Sequence, residues 1–134
     1  MKVLSFEQMQ KLKELGINTS KASIRVGQMI FTHGDPWYEK EEYDVYLFDH
    51  EDNYTNCFVE EYRAFTSQDI IELLPHEVTD YADYQLLINK QRDSYSVSYE
   101  NTDSFLVSFC RVELLDCLYE MLLWVIDNDY LETK

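Results

Sequence analysis

Residues 111 to 127, RVELLDCLYEMLLWVID, read as a helix that is apolar almost all round, and no other segment limits the possible folds as tightly. Leu115, Leu118, Leu122 and Val125 form a stripe at helical spacing, while Leu114, Met121, Leu123 and Trp124 widen it beyond a single core-facing side. A helix of this kind has to be covered twice. Burial between layers of the same chain is the favoured reading; the alternative is a homodimer through the C-terminal helix, on the face that carries Leu123 and Trp124.

The rest of the chain supplies candidate layers. SFEQMQKLKELG predicts a helix over 5–15, with Ser5 as N-cap, Gln8 at the capping-box position and Gly16 as the left-handed exit. Phe6, Met9, Leu12 and Leu15 fall near one face of it. SIRVGQMIFTH alternates and then shifts phase at Gly27, as a bulged strand does, and YDVYLFD at 43–49 is a second strand, with GDPWYEKEE as an acidic hairpin loop between them. Residues 54 to 65 have no decisive pattern. Ser67 is the expected cap of a short helix, SQDIIELL, which stops before Pro75. YQLLINK, SYSVSYE and SFLVSF then read as three antiparallel strands near 84–90, 94–100 and 104–109; Tyr95, Val97 and Tyr99 share one face of the second, opposite Ser96, Ser98 and Glu100.

A length of 134 residues with 46% hydrophobic content suits one domain, 1–134, with a core of its own, and only three glycines and two prolines leave no linker or low-complexity tract. The expected class is therefore α+β: an antiparallel sheet packed against a long C-terminal helix and an N-terminal helix. Cys57, Cys110 and Cys117 are an odd number without CxxC spacing, which favours free thiols and a cytoplasmic location. MKVLSFEQ turns polar too early for a signal-peptide core, and MLLWVI at 121–126 is far too short to span a bilayer, so the chain is read as soluble.

Charge is the functional clue. The net charge is −15, yet residues 1–25 hold Lys2, Lys11, Lys13, Lys21 and Arg25 against Glu7 and Glu14, a local +3. Between Asp35 and Glu61 stand ten carboxylates and one base, Lys40, a local −9. Such a segment repels nucleic acid and anionic membranes and attracts a basic protein surface. Tyr38, Tyr43, Tyr46, Tyr54 and Tyr62 interleave with it, and tyrosine suits recognition surfaces because it brings large amphipathic contact area at small entropic cost.

Two histidines within the acidic run raise the question of a metal-dependent enzyme using His33 and Asp35 or the Asp49–Asp52 cluster, which includes His50 and Glu51. If 24–32 and 43–49 pair, however, the two groups leave opposite ends of the hairpin, more than about 15 Å apart at the usual rise per strand residue. No HExxH, calcium-loop, GxSxG or P-loop pattern occurs either. The sequence thus assigns no catalytic residue, no cofactor and no metal, and solvated acidic loops are the plain alternative to any site there.

Taken together, LSFEQMQKLKELGINTSKASI, IIELLPHEV, YQLLINK with YSVSYE, and LLDCLYEMLLWVIDNDYL resemble a set of small uncharacterised proteins of Bacteroidetes-type bacteria, their prophages and mobile elements. The likeness leaves out residues 26–66. It implies a genomic setting and brings no activity, cofactor or catalytic residue. The expected function is a non-enzymatic protein-interaction module that presents its acidic, tyrosine-bearing surface to a basic partner, as a DNA mimic or an immunity protein does, with no direct contact to nucleic acid or membrane. Glu41, Glu42, Asp44, Tyr46, Asp49, Glu51, Asp52 and Tyr54 are the expected partner-binding residues. A homo-oligomeric structural protein is the blander alternative.

Overall fold

The computed structural model describes residues 2–29, 44–47 and 58–131. In chain order these form helix α1 (Phe6–Glu14), a 3₁₀ turn (Thr19–Lys21), strands β1 (Ile24–Met29), β2 (Asp44–Leu47) and β3 (Phe58–Ala64), helix α2 (Ser67–Leu73), strands β4 (Glu77–Asp80), β5 (Ala82–Lys90), β6 (Tyr95–Glu100) and β7 (Phe105–Arg111), and helix α3 (Leu114–Asp127). The strands make two antiparallel sheets, ordered β2-β1-β3 and β4-β5-β6-β7. The α+β class is the one the sequence predicts, although its sheet is two sheets.

Local chemistry sets the first half. Ser5 and Gln8 close the capping box of α1 in both directions, and Gly16 leaves the helix at φ 96°, a region that costs glycine nothing. Met9 and Leu12 are buried, whereas Phe6 and Leu15 are 52% and 40% exposed, so the buried stripe is narrower than its sequence spacing suggests. β1 is central in its sheet. Its row Ile24/Leu47/Ala64 brings buried Ile24 and Ala64 together, the next is Arg25/Tyr46/Arg63, and the register with β3 shifts between Val26 and Gly27, where the bulge was expected. α1 packs on β3. The strand over 58–64 comes from the stretch whose sequence gave no clear pattern.

The cap of α2 is Thr66, one residue before the expected Ser67. Thr66 is extended, its side chain accepts from the Asp69 amide at 3.1 Å, and the Asp69 carboxylate accepts from the Thr66 amide at 3.0 Å. This reciprocal pair needs a side-chain acceptor three positions after the cap, which Thr66 has in Asp69 and Ser67, with Ile70 there, lacks.

α3 lies between α2 on one side and β6 and β7 on the other. That arrangement agrees with the central-packing reading: Leu115, Cys117, Leu118, Met121, Leu122 and Val125 are all buried. The helix starts at Leu114 and not at 111, because β7 keeps its ladder with β6 through the pair Tyr95–Arg111. Cys110 accordingly sits exposed on β7, and only Cys117 is on the helix, buried, with its thiol directed at the Tyr95 carbonyl at 3.2 Å. One cluster of buried residues, from Leu4 through Ile24 and Ile70 to Val97 and Val125, joins both sheets and all three helices. No helix among the described residues is long and apolar enough to cross a membrane.

Candidate interaction surface

Asp44 and Tyr46 stand on β2, opposite Gly27 and Arg25. Glu41, Glu42, Asp49, Glu51, Asp52 and Tyr54 lie outside the described residues, as do His33, Asp35, His50 and the acidic loop between β1 and β2. The pairing of β1 with β2 was expected and is found. Leu47 meets Ile24 at one end of the hairpin and Asp44 meets Gly27 toward the other, so the chain segments that carry the two histidines depart from opposite ends. Among the described residues no group of three or more histidine, cysteine or carboxylate side chains is placed to hold a metal.

A second acidic surface emerges from the meander. In an up-and-down sheet every other turn reaches the same end, so the β4–β5 and β6–β7 turns are neighbours. Their ends bring together Glu77, Asp80, Asp83, Glu100 and Asp103, while Lys90, Arg92 and Arg111 gather with Asp93 at the other end of β5, β6 and β7. The sheet is thus polarised along its strands. The ion pairs Lys2–Glu113 and Arg111–Glu120, each 2.7 Å, lie away from the acidic end.

Hydrogen bonds order that end. Thr79 donates to Asp83 at 2.8 Å, Ser98 donates to Glu100 at 2.9 Å, and the Asn101 amide group donates to the Asp83 carbonyl at 3.4 Å. The Asn101 side chain also accepts from the backbone of Asp103 and Ser104, both at 2.9 Å, which fixes the turn. Asp83, Gln85, Leu87, Glu100, Asn101 and Thr102 border an open groove of about 430 Å³.

Tyrosines accompany these carboxylates. Tyr81, alone between the paired residues Asp80 and Ala82, is fully exposed and held at φ 63°, an unusual backbone for a bulky residue. Tyr130 stacks on Trp124 at 5.4 Å, and Trp124 stacks on the buried Tyr99 at 6.2 Å. Burial, reinforced by the Asp80 charge and by Tyr84, pushes the Tyr130 phenol above its ordinary pKa. The end therefore combines carboxylates that form no ion pair among the described residues with ordered aromatic rings, a combination suited to binding cations and basic side chains.

The other cavities differ in character. One of about 510 Å³ between α1, the 3₁₀ turn and β3 is bordered by Lys13, Arg63 and the edge-to-face pair Phe6–Tyr62, with ring centres 5.6 Å apart. Another, of about 560 Å³, is bordered by Leu15, Phe109, Leu123 and Trp124 with Lys11 and Asp127 among its charged residues. Comparison of the chain with family models, with curated proteins and with solved structures finds no match.

Sequence reasoning missed the acidic end because its carboxylates are scattered from Glu77 to Asp103 and never form a run. A signal was available. DYAD and ENTDS are both acidic turns, and their spacing by one whole hairpin places them side by side in any meander.

Proposed function

We propose that the protein is a non-enzymatic interaction module that offers an acidic, tyrosine-bearing surface to a basic protein partner, in the manner of a DNA mimic or an immunity protein. The observation that carries this reading is the charge separation along the meander: Glu77, Asp80, Asp83, Glu100 and Asp103 at one end, away from Lys90, Arg92 and Arg111. Carboxylates kept apart from the chain's own cations retain their field for a partner, steering its approach and fixing its orientation. The −9 stretch between Asp35 and Glu61, with Asp44 and Tyr46 on β2, adds charge of the same sign. A negative surface of this kind disfavours direct contact with nucleic acid or an anionic membrane. The proposed compartment is the cytoplasm, in keeping with Cys110 and Cys117 as free thiols, and the proposed genomic setting is a prophage or mobile element.

The test is affinity capture from the native host at low and at high salt, with wild-type protein and two charge variants. One variant carries Asp80→Asn, Asp83→Asn and Asp103→Asn; the other carries Glu41→Gln, Glu42→Gln, Glu51→Gln and Asp52→Asn. Capture of a basic protein that falls steeply with salt, and falls again in either variant, is the expected result. Capture indifferent to salt and to both variants would remove the proposal.

A further inference from the structure

The two edges of the meander are treated very differently. β4 is short, four residues, and begins and ends on carboxylates, Glu77 and Asp80, a usual way of keeping a sheet edge from pairing with another chain. β7 at the opposite edge is seven residues long, FLVSFCR, with no proline, no lysine and no carboxylate. Among the described residues no strand pairs with its outer side. Phe105 and Val112, at and just beyond its ends, are 68% and 72% exposed. A long apolar edge of this sort is a template for one more strand.

The sequence of β7 also indicates which strand. Two antiparallel copies centred on Ser108 set Val107 opposite Phe109 of the second copy, Leu106 opposite Cys110, and Phe105 opposite Arg111. Every facing pair is then apolar on apolar, serine on serine, or Phe105 on Arg111, whose guanidinium is also paired with Glu120, and no like charges meet. Nearly any register other than this one leaves residues unpaired at the ends. A two-fold axis through Ser108 satisfies both copies with the same contacts, as a closed dimer requires.

We infer that β7 is a self-association edge, through which two copies of this chain pair antiparallel about Ser108 and join their meanders into one eight-stranded sheet. This edge adjoins the acidic end at Phe105, but the inference does not depend on the function proposed above. Pairing through a single strand edge is expected to be reversible and to rise with concentration. Antiparallel pairing also sets the acidic end of each meander beside the Arg111 end of the other, so although each copy carries a net charge of −15 the charges along the seam are complementary.

Sedimentation velocity of the full chain, from micromolar to several hundred micromolar, is the test. Wild-type protein is expected to shift from the 16.1 kDa monomer to twice that mass as concentration rises. Ser108 is exposed, so Ser108→Lys leaves the monomer folded, as circular dichroism will check, and places two like charges face to face at the centre of the pair. Loss of the dimer in folded S108K protein supports the inference. A wild-type chain that stays monomeric throughout overturns it, and so does a dimer that survives Ser108→Lys, which would place the seam elsewhere, for example on the Leu123 and Trp124 face of α3.

Discussion

Asp69 holds Ser23 with both carboxylate oxygens: it accepts from the Ser23 amide at 3.2 Å and from the Ser23 hydroxyl through a short bond, across 46 residues of chain. The same carboxylate closes the capping box of α2 on Thr66. One side chain therefore fixes the entry of β1 and the start of α2 together, and joins the three-stranded sheet to the helix that covers α3.

Replacing Asp69 by alanine removes the reciprocal half of the capping box and leaves the Ser23 and Thr66 donors without this acceptor. The expected loss is about 2–3 kcal/mol of stability, with Asp69→Asn costing less because one oxygen remains to accept. Urea denaturation at neutral pH measures both. A loss within a few tenths of a kcal/mol for Asp69→Ala would show that the linkage contributes nothing.

Tyr99 is fully buried beside Trp124 and donates from its hydroxyl to the Pro75 carbonyl at 2.7 Å. Burial raises its phenol well above the ordinary value, which is about 10 in an unfolded chain. The unfolded state therefore loses this proton first as pH rises, so the native state binds more protons and stability must fall. The contribution is intact below about pH 10 and is lost progressively above it. Tyr119 and Tyr130 shift in the same direction, and Cys117, raised by burial, begins the same loss nearer pH 9, its reference value being 9.0. Tyr99→Phe should cost about 1 kcal/mol at neutral pH for the lost hydrogen bond and flatten the decline between pH 9 and pH 11. Thermal melts across that range give the comparison, and a decline unchanged in Tyr99→Phe would assign it to the other groups.

Tyr81 pays for its position at the β4–β5 turn in backbone strain, since φ 63° disfavours any side chain with a Cβ. Its ring is fully exposed and gains nothing from packing. Tyr81→Gly should therefore stabilise the fold by about 1 kcal/mol. The same variant should weaken capture of the proposed basic partner if the ring serves in recognition. A stabilised protein with unchanged capture would separate the strain from that function.

The two described cysteines should behave oppositely toward an alkylating reagent. Cys110 is exposed, whereas Cys117 is buried against the Tyr95 carbonyl and its thiol is pushed up in pKa, which lowers the reactive thiolate fraction. Peptide mapping after brief alkylation at pH 8 should find Cys110 modified and Cys117 protected until denaturant is added. Equal labelling of the two in native protein would contradict the placement of Cys117 in the core.

Features that neighbouring residues decide were legible in the sequence. Ser5, Gln8 and Gly16 sufficed for α1 because capping and a left-handed exit are settled within one turn of chain. Gly27 marked the bulge of β1, and alternation marked β6, for the same reason. The wide apolar surface of 114–125, interrupted by Asp116 and Glu120, implied that α3 must be covered on two sides. Other features depend on partners far away in the chain. Arg111 continues a strand and does not open a helix because Tyr95 pairs with it, and 58–64 becomes a strand because β1 offers it an edge. The split into two sheets, the placement of α1 on β3, and the meeting of two acidic turns 20 residues apart at one end of the meander follow from strand order. Composition determined how much negative charge the protein carries; hydrogen-bonded strand pairing, which acts across sequence distance, decided where that charge stands.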